Sequence, residues 1–242
     1  MQACRQSLLL LITFWPLTAL VLFCDSRLVA ERSSYGQWCS GLLAFAFLLA
    51  LMSRMRPERQ LLVALFVPLS ALGEALFSLA FKWYGYRLGG VPVYVPFGHS
   101  ILLGMGLMLS DSTWIQRHEN RVRVALSGFH ATLIGAALIF FGDTLSAILG
   151  VMFFFVLRRK GGRILYLIIG VLVLYVEILG TIWGCWVWQP SPFGVLHTTN
   201  PPVGAFACYV LADIIAMKCA ARVEKWLLRR RLVHINHQHS EL

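Results

Sequence analysis

Two glutamates lie within long apolar stretches of the chain, and each precedes a tryptophan by nine residues. Glu74 is followed by Trp83, and Glu177 is followed by Trp186. A Pro-x-Gly sequence then opens the next apolar stretch in both places. A carboxyl group at membrane depth costs free energy and tends to be functional. Apolar surroundings favour the protonated acid, which could donate or relay a proton. The alternative is a neutral glutamate that only joins neighbouring helices.

Two further polar residues lie in the apolar stretches that follow the glutamates. His99 comes directly after the first Pro-x-Gly, and an imidazole can shuttle protons near neutral pH. Asp213 lies midway along the last apolar stretch and could polarise Glu177 or balance its charge. A packing role between helices is the alternative for both residues. The candidate catalytic residues are therefore Glu74, Glu177, Asp213 and His99.

Aromatic residues cluster in the segments after the glutamates, as is usual at membrane interfaces. An α-helix rises 1.5 Å per residue, so each glutamate is predicted to lie ~13 Å below its tryptophan, near the bilayer midplane. Segments 83–96 and 186–202 are rich in glycine and proline. We expect both to kink and to cap a cavity above the glutamates. The candidate substrate-binding residues are Trp83, Tyr84, Tyr86, Trp183, Trp186, Trp188 and Asn200.

The composition is that of a membrane protein. The chain has 242 residues, of which 58% are hydrophobic and 13% are charged, whereas soluble domains carry about 25% charged residues. Apolar runs long enough to cross a bilayer recur along the sequence. We predict an all-α polytopic membrane protein, a single membrane domain over 1–242 with about eight transmembrane helices. The predicted segments are about 7–24, 39–53, 61–82, 91–110, 124–141, 144–157, 164–188 and 201–220.

The positive charge follows the predicted topology. With these segments, 17 of the 21 Lys and Arg residues fall on one side of the membrane. The positive-inside rule then places both termini in the cytoplasm of a multi-pass cell-membrane protein, in the inner membrane if bacterial. This distribution explains the net charge of +10 without nucleic acid. The basic segment 221–242 is predicted to form an interfacial helix and polar tail that contact anionic lipid headgroups.

The matched glutamates also predict an internal duplication. Residues 1–110 and 120–220 would each contribute four helices. Because four is an even number, both halves have the same orientation, so the repeat is parallel about an axis along the membrane normal.

Common cofactor signatures are absent from the sequence. It contains no Walker loop, no dinucleotide-binding glycine turn, no nucleophile elbow and no HExxH. We therefore predict no cofactor and no metal site.

The stretch from Glu74 to His99 reads E-x8-WYGY-x-LGGVPVYVPFGH. It resembles carotenoid-modifying membrane proteins, namely the bacterioruberin-pathway hydratases and the membrane-embedded lycopene cyclases. The Pro-Glu-Glu motif of the heterodimeric cyclases is absent. The resemblance implies that Glu74 donates a proton to an isoprenoid double bond. It also implies that Trp83, Tyr84 and Tyr86 stabilise the carbocation through their ring faces.

Three functions follow from these features. The leading prediction is an integral membrane enzyme that acts on an apolar lipid or isoprenoid by acid–base chemistry. A proton-coupled transporter of small molecules or lipids is the second, and it would need to form a homodimer because the chain is small for a carrier. The third is a scaffold or accessory subunit in which the glutamates only join helices.

Overall fold

A computed structural model describes residues 2–33, 35–159, 163–215, 217–219 and 221–223, and the chain is mostly helical. The predicted basic segment 221–242 lies almost entirely outside the described residues. The helices are α1 (Gln2–Cys24), α2 (Arg27–Ala30), α3 (Gly36–Met52), α4 (Pro57–Glu74, continued as a π-helix over Ala75–Ala80), α5 (Tyr94–Ser110), α6 (Thr113–Arg117), α7 (Glu119–Phe141), α8 (Thr144–Arg159), α9 (Arg163–Ile182) and α10 (Val203–Val223).

Several of these helices suit a membrane. Four are long and apolar enough to cross one: α4 with its π-helical continuation, α7, α9 and α10. The other four apolar helices are shorter and belong to α1, α3, α5 and α8. Each predicted segment thus coincides with an apolar helix. The prediction of a helical protein is confirmed, and its apolar helices are compatible with a membrane.

Local sequence signals set several helix ends. Pro57 begins α4, where its missing N–H costs nothing. Gly142 ends α7 with a left-handed φ of 63°. Asp143 then caps α8, because its Oδ1 accepts the backbone N–H of Ser146 at 2.8 Å.

The C-terminal ends of α4 and α9 each lead into a short strand. The predicted segment 164–188 is too long, because α9 ends at Ile182. Gly184 then adopts a φ of 69°, which turns the chain into strand β2, Trp186–Trp188. Lys82 adopts a φ of 54° after α4 and leads into strand β1, Tyr84–Tyr86. Strand β2 therefore replaces the end of a predicted helix, whereas β1 lies in segment 83–96, which was predicted to be a non-helical loop.

The two strands pair antiparallel about a local two-fold axis. Gly85 lies opposite Val187 at the centre of the pair, and the aromatic residues flank them on both sides. Beyond the strands, Arg87 donates its N–H to the carbonyl of Cys185 at 2.9 Å. Gln189 donates its N–H to the carbonyl of Trp83 at 2.8 Å. The exchange is reciprocal, as two-fold symmetry requires.

Helix α5 lies at the centre of the helical packing, against α3, α4 and α9. Glycines allow its close approach to two of these neighbours. A Cβ on Gly104 would lie 2.7 Å from the Leu51 side chain on α3, and one on Gly106 would lie 2.6 Å from Ile169 on α9. This position places α5 between the helices that carry the two glutamates.

Two fully buried aspartates stabilise the loops next to the strand pair. Asp25, after α1, accepts hydrogen bonds from the Arg87 guanidinium at 2.6 Å and the Tyr94 hydroxyl at 2.7 Å. Asp143, after α7, accepts the Thr199 hydroxyl at 2.6 Å. Each aspartate thus ties the end of a helix to the loop that follows one of the strands.

Candidate functional site

One cavity lies among α1, α3, α4, α5, α9, α10 and the strand pair, and both glutamates line it. The cavity has a volume of about 120 Å³. Most of the lining is apolar side chain, from residues such as Phe14, Phe47 and Leu102. The structure thus brings Glu74 and Glu177, 103 positions apart in the chain, to a single site.

The carboxylate of Glu74 has three hydrogen-bonding partners. Tyr84 and Tyr86 donate their hydroxyl protons to Oε2, with oxygen–oxygen distances of 2.7 and 2.5 Å. Nε2 of His99, on α5, lies 2.7 Å from Oε1. Glu74 itself is buried. Its carboxyl and the imidazole therefore share a proton away from bulk water.

The carboxylate of Glu177 has a matching arrangement built from other residue types. Trp186 and Trp188 donate their indole N–H groups to Oε2, at 2.9 and 3.0 Å. Tyr209, on α10, donates its hydroxyl to Oε1 at 2.9 Å. An indole N–H can only donate. Oε2 of Glu177 can therefore only accept, and a proton on this carboxyl would have to reside on Oε1.

Strand geometry explains why alternate aromatics reach the glutamates. Side chains alternate between the two faces of a strand. Tyr84 and Tyr86, on either side of Gly85, therefore project from the same face. The same alternation turns Trp186 and Trp188 inward and leaves Val187 exposed. Across the strand pair, the rings of Tyr84 and Trp188 lie 4.6 Å apart. Four aromatic rings thereby form one wall of the cavity.

The predicted separation of glutamate and tryptophan is wrong for the second half. We expected ~13 Å along a continuous helix, whereas the indole nitrogen of Trp186 lies 2.9 Å from Glu177. The reason is that the strand folds back toward the helix after Gly184. Trp83 also lines the cavity. Its position in the strand pair matches that of Cys185, and Tyr84 occupies the position that matches Trp186.

A stacked ring pair connects the two carboxylates. The imidazole of His99 and the phenol of Tyr209 are parallel within 5°, with ring centroids 4.4 Å apart. His99 contacts Glu74, and Tyr209 contacts Glu177. Sequence reasoning missed Tyr209, and the only available signal was a phenol within an apolar helix. Both rings come from helices that begin after the strands.

Two buried polar atoms on the lining residues lack partners. Within the described ranges, Nε1 of Trp83 and Nδ1 of His99 accept or donate no hydrogen bond. Buried polar atoms are normally satisfied, so such atoms beside a cavity are free to contact a ligand.

His99 is the one basic side chain among the described residues that line the cavity, and it contacts Glu74. Among the described residues, no Lys or Arg side chain lines the cavity. The neighbouring Arg87 is paired with Asp25. Burial raises the pKa of Tyr84 and Tyr86 well above their ordinary values, and the charge of Glu74 adds to the effect. Both phenols therefore remain neutral donors, and the two carboxyl groups dominate the electrostatics.

Three predicted site residues lie outside the cavity lining. Trp183 packs edge-on against Phe23, with ring centroids 5.8 Å apart. Asn200 accepts the backbone N–H of Trp188 at 3.1 Å through its side-chain oxygen, so it positions β2. Asp213 is buried, and its Oδ2 has no partner among the described residues. The part of the chain that the structure describes contains no cluster of metal-ligating side chains.

No family model, curated protein or solved structure matches the chain.

Proposed function

We propose that the protein is an integral membrane enzyme that acts on an apolar lipid or isoprenoid by acid–base chemistry. The observation that carries the proposal is the Glu74–His99 pair, with 2.7 Å between its nitrogen and oxygen, beside a cavity of apolar and aromatic side chains. A buried acid and an imidazole in contact can transfer a proton to or from a bound group. Apolar walls suit a substrate that arrives from the bilayer.

The two glutamates have different roles in this proposal. Glu74 exchanges the proton, because the imidazole of His99 beside it can both donate and accept. Glu177 serves as a preorganised acceptor, because two indoles hold one of its oxygens in place. A carboxyl oxygen fixed in this way stabilises positive charge that develops beside it during a reaction.

The simplest reaction is protonation of a carbon–carbon double bond. The proton of Glu74 forms a new C–H bond, and the π electrons of the double bond supply the pair. Positive charge then develops on the neighbouring carbon, beside Glu177 and the aromatic rings. Loss of a proton from an adjacent carbon back to Glu74 completes an isomerisation. Addition of water to the positively charged carbon, with loss of a water proton to Glu74, would instead complete a hydration.

The same proposal places eight helices across the cell membrane, with both termini in the cytoplasm and a 4+4 parallel repeat. The two-fold strand pair supports the repeat, since each strand follows the helix that carries a glutamate. The number of residues between the glutamate and its first strand partner differs by one between the halves, and this difference has a local cause. Tyr84 follows Glu74 by 10 residues and Trp186 follows Glu177 by 9. The π-helix after Glu74 accommodates the additional residue.

Lipid-extract profiling tests the enzymatic function. A strain without the protein should accumulate an apolar substrate, and re-expression of the wild type should restore the product. Glu74→Gln should fail to restore it. A glutamine can still accept from both tyrosines and can donate its N–H to His99, so the site should keep its structure. Identical lipid and pigment profiles with and without the protein would contradict the proposal.

A proton-coupled transporter is the second candidate. The observation in its favour is the continuous series of contacts from Glu74 through His99 and Tyr209 to Glu177. Such a series could link proton movement to the occupancy of one cavity. Uptake into proteoliposomes under a pH gradient would support a carrier, and a dimer would be expected. If neither glutamate variant changes lipids or flux, the scaffold function remains.

A further inference from the structure

We propose that the cavity binds an apolar organic cation, such as an ammonium ion with alkyl or aryl substituents. This inference rests on the same cavity as the proposed function and specifies the charge of its ligand. In the enzymatic reaction, a bound ammonium ion would imitate the carbocation. In a carrier, it would be the transported molecule.

The first argument is charge. His99 contacts Glu74, whereas the partners of Glu177 are two indoles and a phenol, all of them neutral donors. Within the described part of the chain, no Lys or Arg side chain lines the cavity. A buried charge is stable only when it is paired. A cationic ligand would place a positive charge beside Glu177, while an anion would be repelled. The apolar remainder of the lining would accommodate its substituents.

The second argument is the aromatic wall. Tyr84, Tyr86, Trp186 and Trp188 all line the cavity, and their polar atoms are directed at the glutamates. Aromatic ring faces attract cations, and quaternary ammonium groups are recognised in aromatic cages. Two acids combined with four rings are therefore complementary to an organic cation.

The third argument excludes a bare metal ion as the preferred ligand. Hard cations require several oxygen ligands that are free to coordinate. Here every carboxylate oxygen already has a hydrogen-bond partner: one on each Oε1 and two on each Oε2. A weakly hydrated organic cation needs only proximity to the charge and contact with the rings, so it can bind without displacing these partners.

Binding to the purified full-length protein in detergent tests the inference. The probe is benzyltrimethylammonium, and quenching of tryptophan fluorescence follows its binding. The controls are neopentylbenzene, in which carbon replaces the charged nitrogen, and the anion benzenesulfonate. We expect saturable binding of the cation, at least about tenfold weaker binding of the neutral isostere, and none of the anion. Equal affinities for the cation and its isostere would overturn the inference.

A variant pair identifies the source of the charge effect. Glu177→Gln should weaken binding of benzyltrimethylammonium about tenfold or more, because it removes a charge beside the aromatic wall. Glu119→Gln, at an exposed position in the first turn of α7, should leave binding unchanged. The comparison of cation and isostere uses the wild-type protein alone, so it remains decisive if Glu177→Gln does not fold.

The outcomes also separate this inference from the proposed function. If Glu74→Gln changes the lipid profile but benzyltrimethylammonium does not bind, the enzyme stands and the cation site fails. If the cation binds but the lipid profile never changes, the site stands and the enzymatic function fails.

Discussion

The surroundings of Glu74 and Glu177 share one geometry and differ in chemistry. In both, two strand aromatics donate to Oε2, and one ring from the following helix contacts Oε1. Around Glu74 these groups are two phenols and an imidazole. Around Glu177 they are two indoles and a phenol. One symmetric framework thus surrounds the first acid with phenols and an imidazole and the second with indoles and a phenol.

Replacing each glutamate by glutamine should slow lipid conversion by different factors. Glu74→Gln should reduce lipid conversion about a thousandfold, the usual contribution of general acid–base catalysis. Glu177→Gln should reduce it about a hundredfold, as expected for the loss of one electrostatic contact. The measurement is the rate at which each re-expressed variant restores the lipid profile. Equal losses would remove the distinction between the acids.

The next effect compares the two buried aspartates. Asp25→Asn removes the charge that pairs with Arg87, which is 17% exposed. We expect a cost of about 2–3 kcal/mol, below the range for a fully buried pair because water screens the arginine. Asp143 accepts only from the neutral N–H and hydroxyl groups of Ser146 and Thr199, so Asp143→Asn should cost less, about 1–2 kcal/mol. Thermal unfolding in detergent measures both. The opposite order would show that the loop after β2 is the more tightly held.

A smaller effect tests the packing that directs Trp186 toward Glu177. A Cβ on Gly180 would lie 2.1 Å from the Trp186 ring, so Gly180→Ala must displace the indole. We expect a loss of about 1–3 kcal/mol, as for overpacking. The control is Gly135→Ala in α7, where a Cβ meets nothing within 4 Å. Gly135→Ala should preserve or raise stability. Similar melting temperatures for both variants would contradict the observed ring position.

Hydrogen-bond deletions give a further comparison of the two sites. Tyr84→Phe removes one donor to Glu74 and little volume, so we expect a loss of about 1–2 kcal/mol. Trp188→Phe removes a donor to Glu177 and leaves a void, so its cost should be about 1 kcal/mol greater. Denaturation of the purified variants measures both. A larger loss for Tyr84→Phe would contradict this order.

The smallest effect concerns thiol reactivity beside the strands. Burial raises the pKa of Cys185 to about 12, with a further contribution from the charge of Asp25. Cys39 is exposed. In variants that retain one cysteine, maleimide should label Cys39 readily and Cys185 only after denaturation, since the thiolate is the reactive form. Rapid labelling of native Cys185 would mean that the strand pair opens.

The sequence predicted much of the site because its signals were local. Buried acids in apolar helices and aromatic residues after them identified Glu74, Glu177, His99 and the strand aromatics. The pairing of Trp83 with Trp186 was misleading, because the π-helix adds one residue in the first half only. Tyr209 and Asp25 were missed, since their roles depend on partners 32 and 62 or more positions away. Contacts at such separations leave no local periodicity.

The strand pair also limits how the molecule can move. It joins residues from both halves of the chain through backbone hydrogen bonds on one end of the helices. The two strands cannot separate without breaking these bonds. The same short sheet that completes the cavity wall therefore clamps the two segments that follow the glutamates to each other.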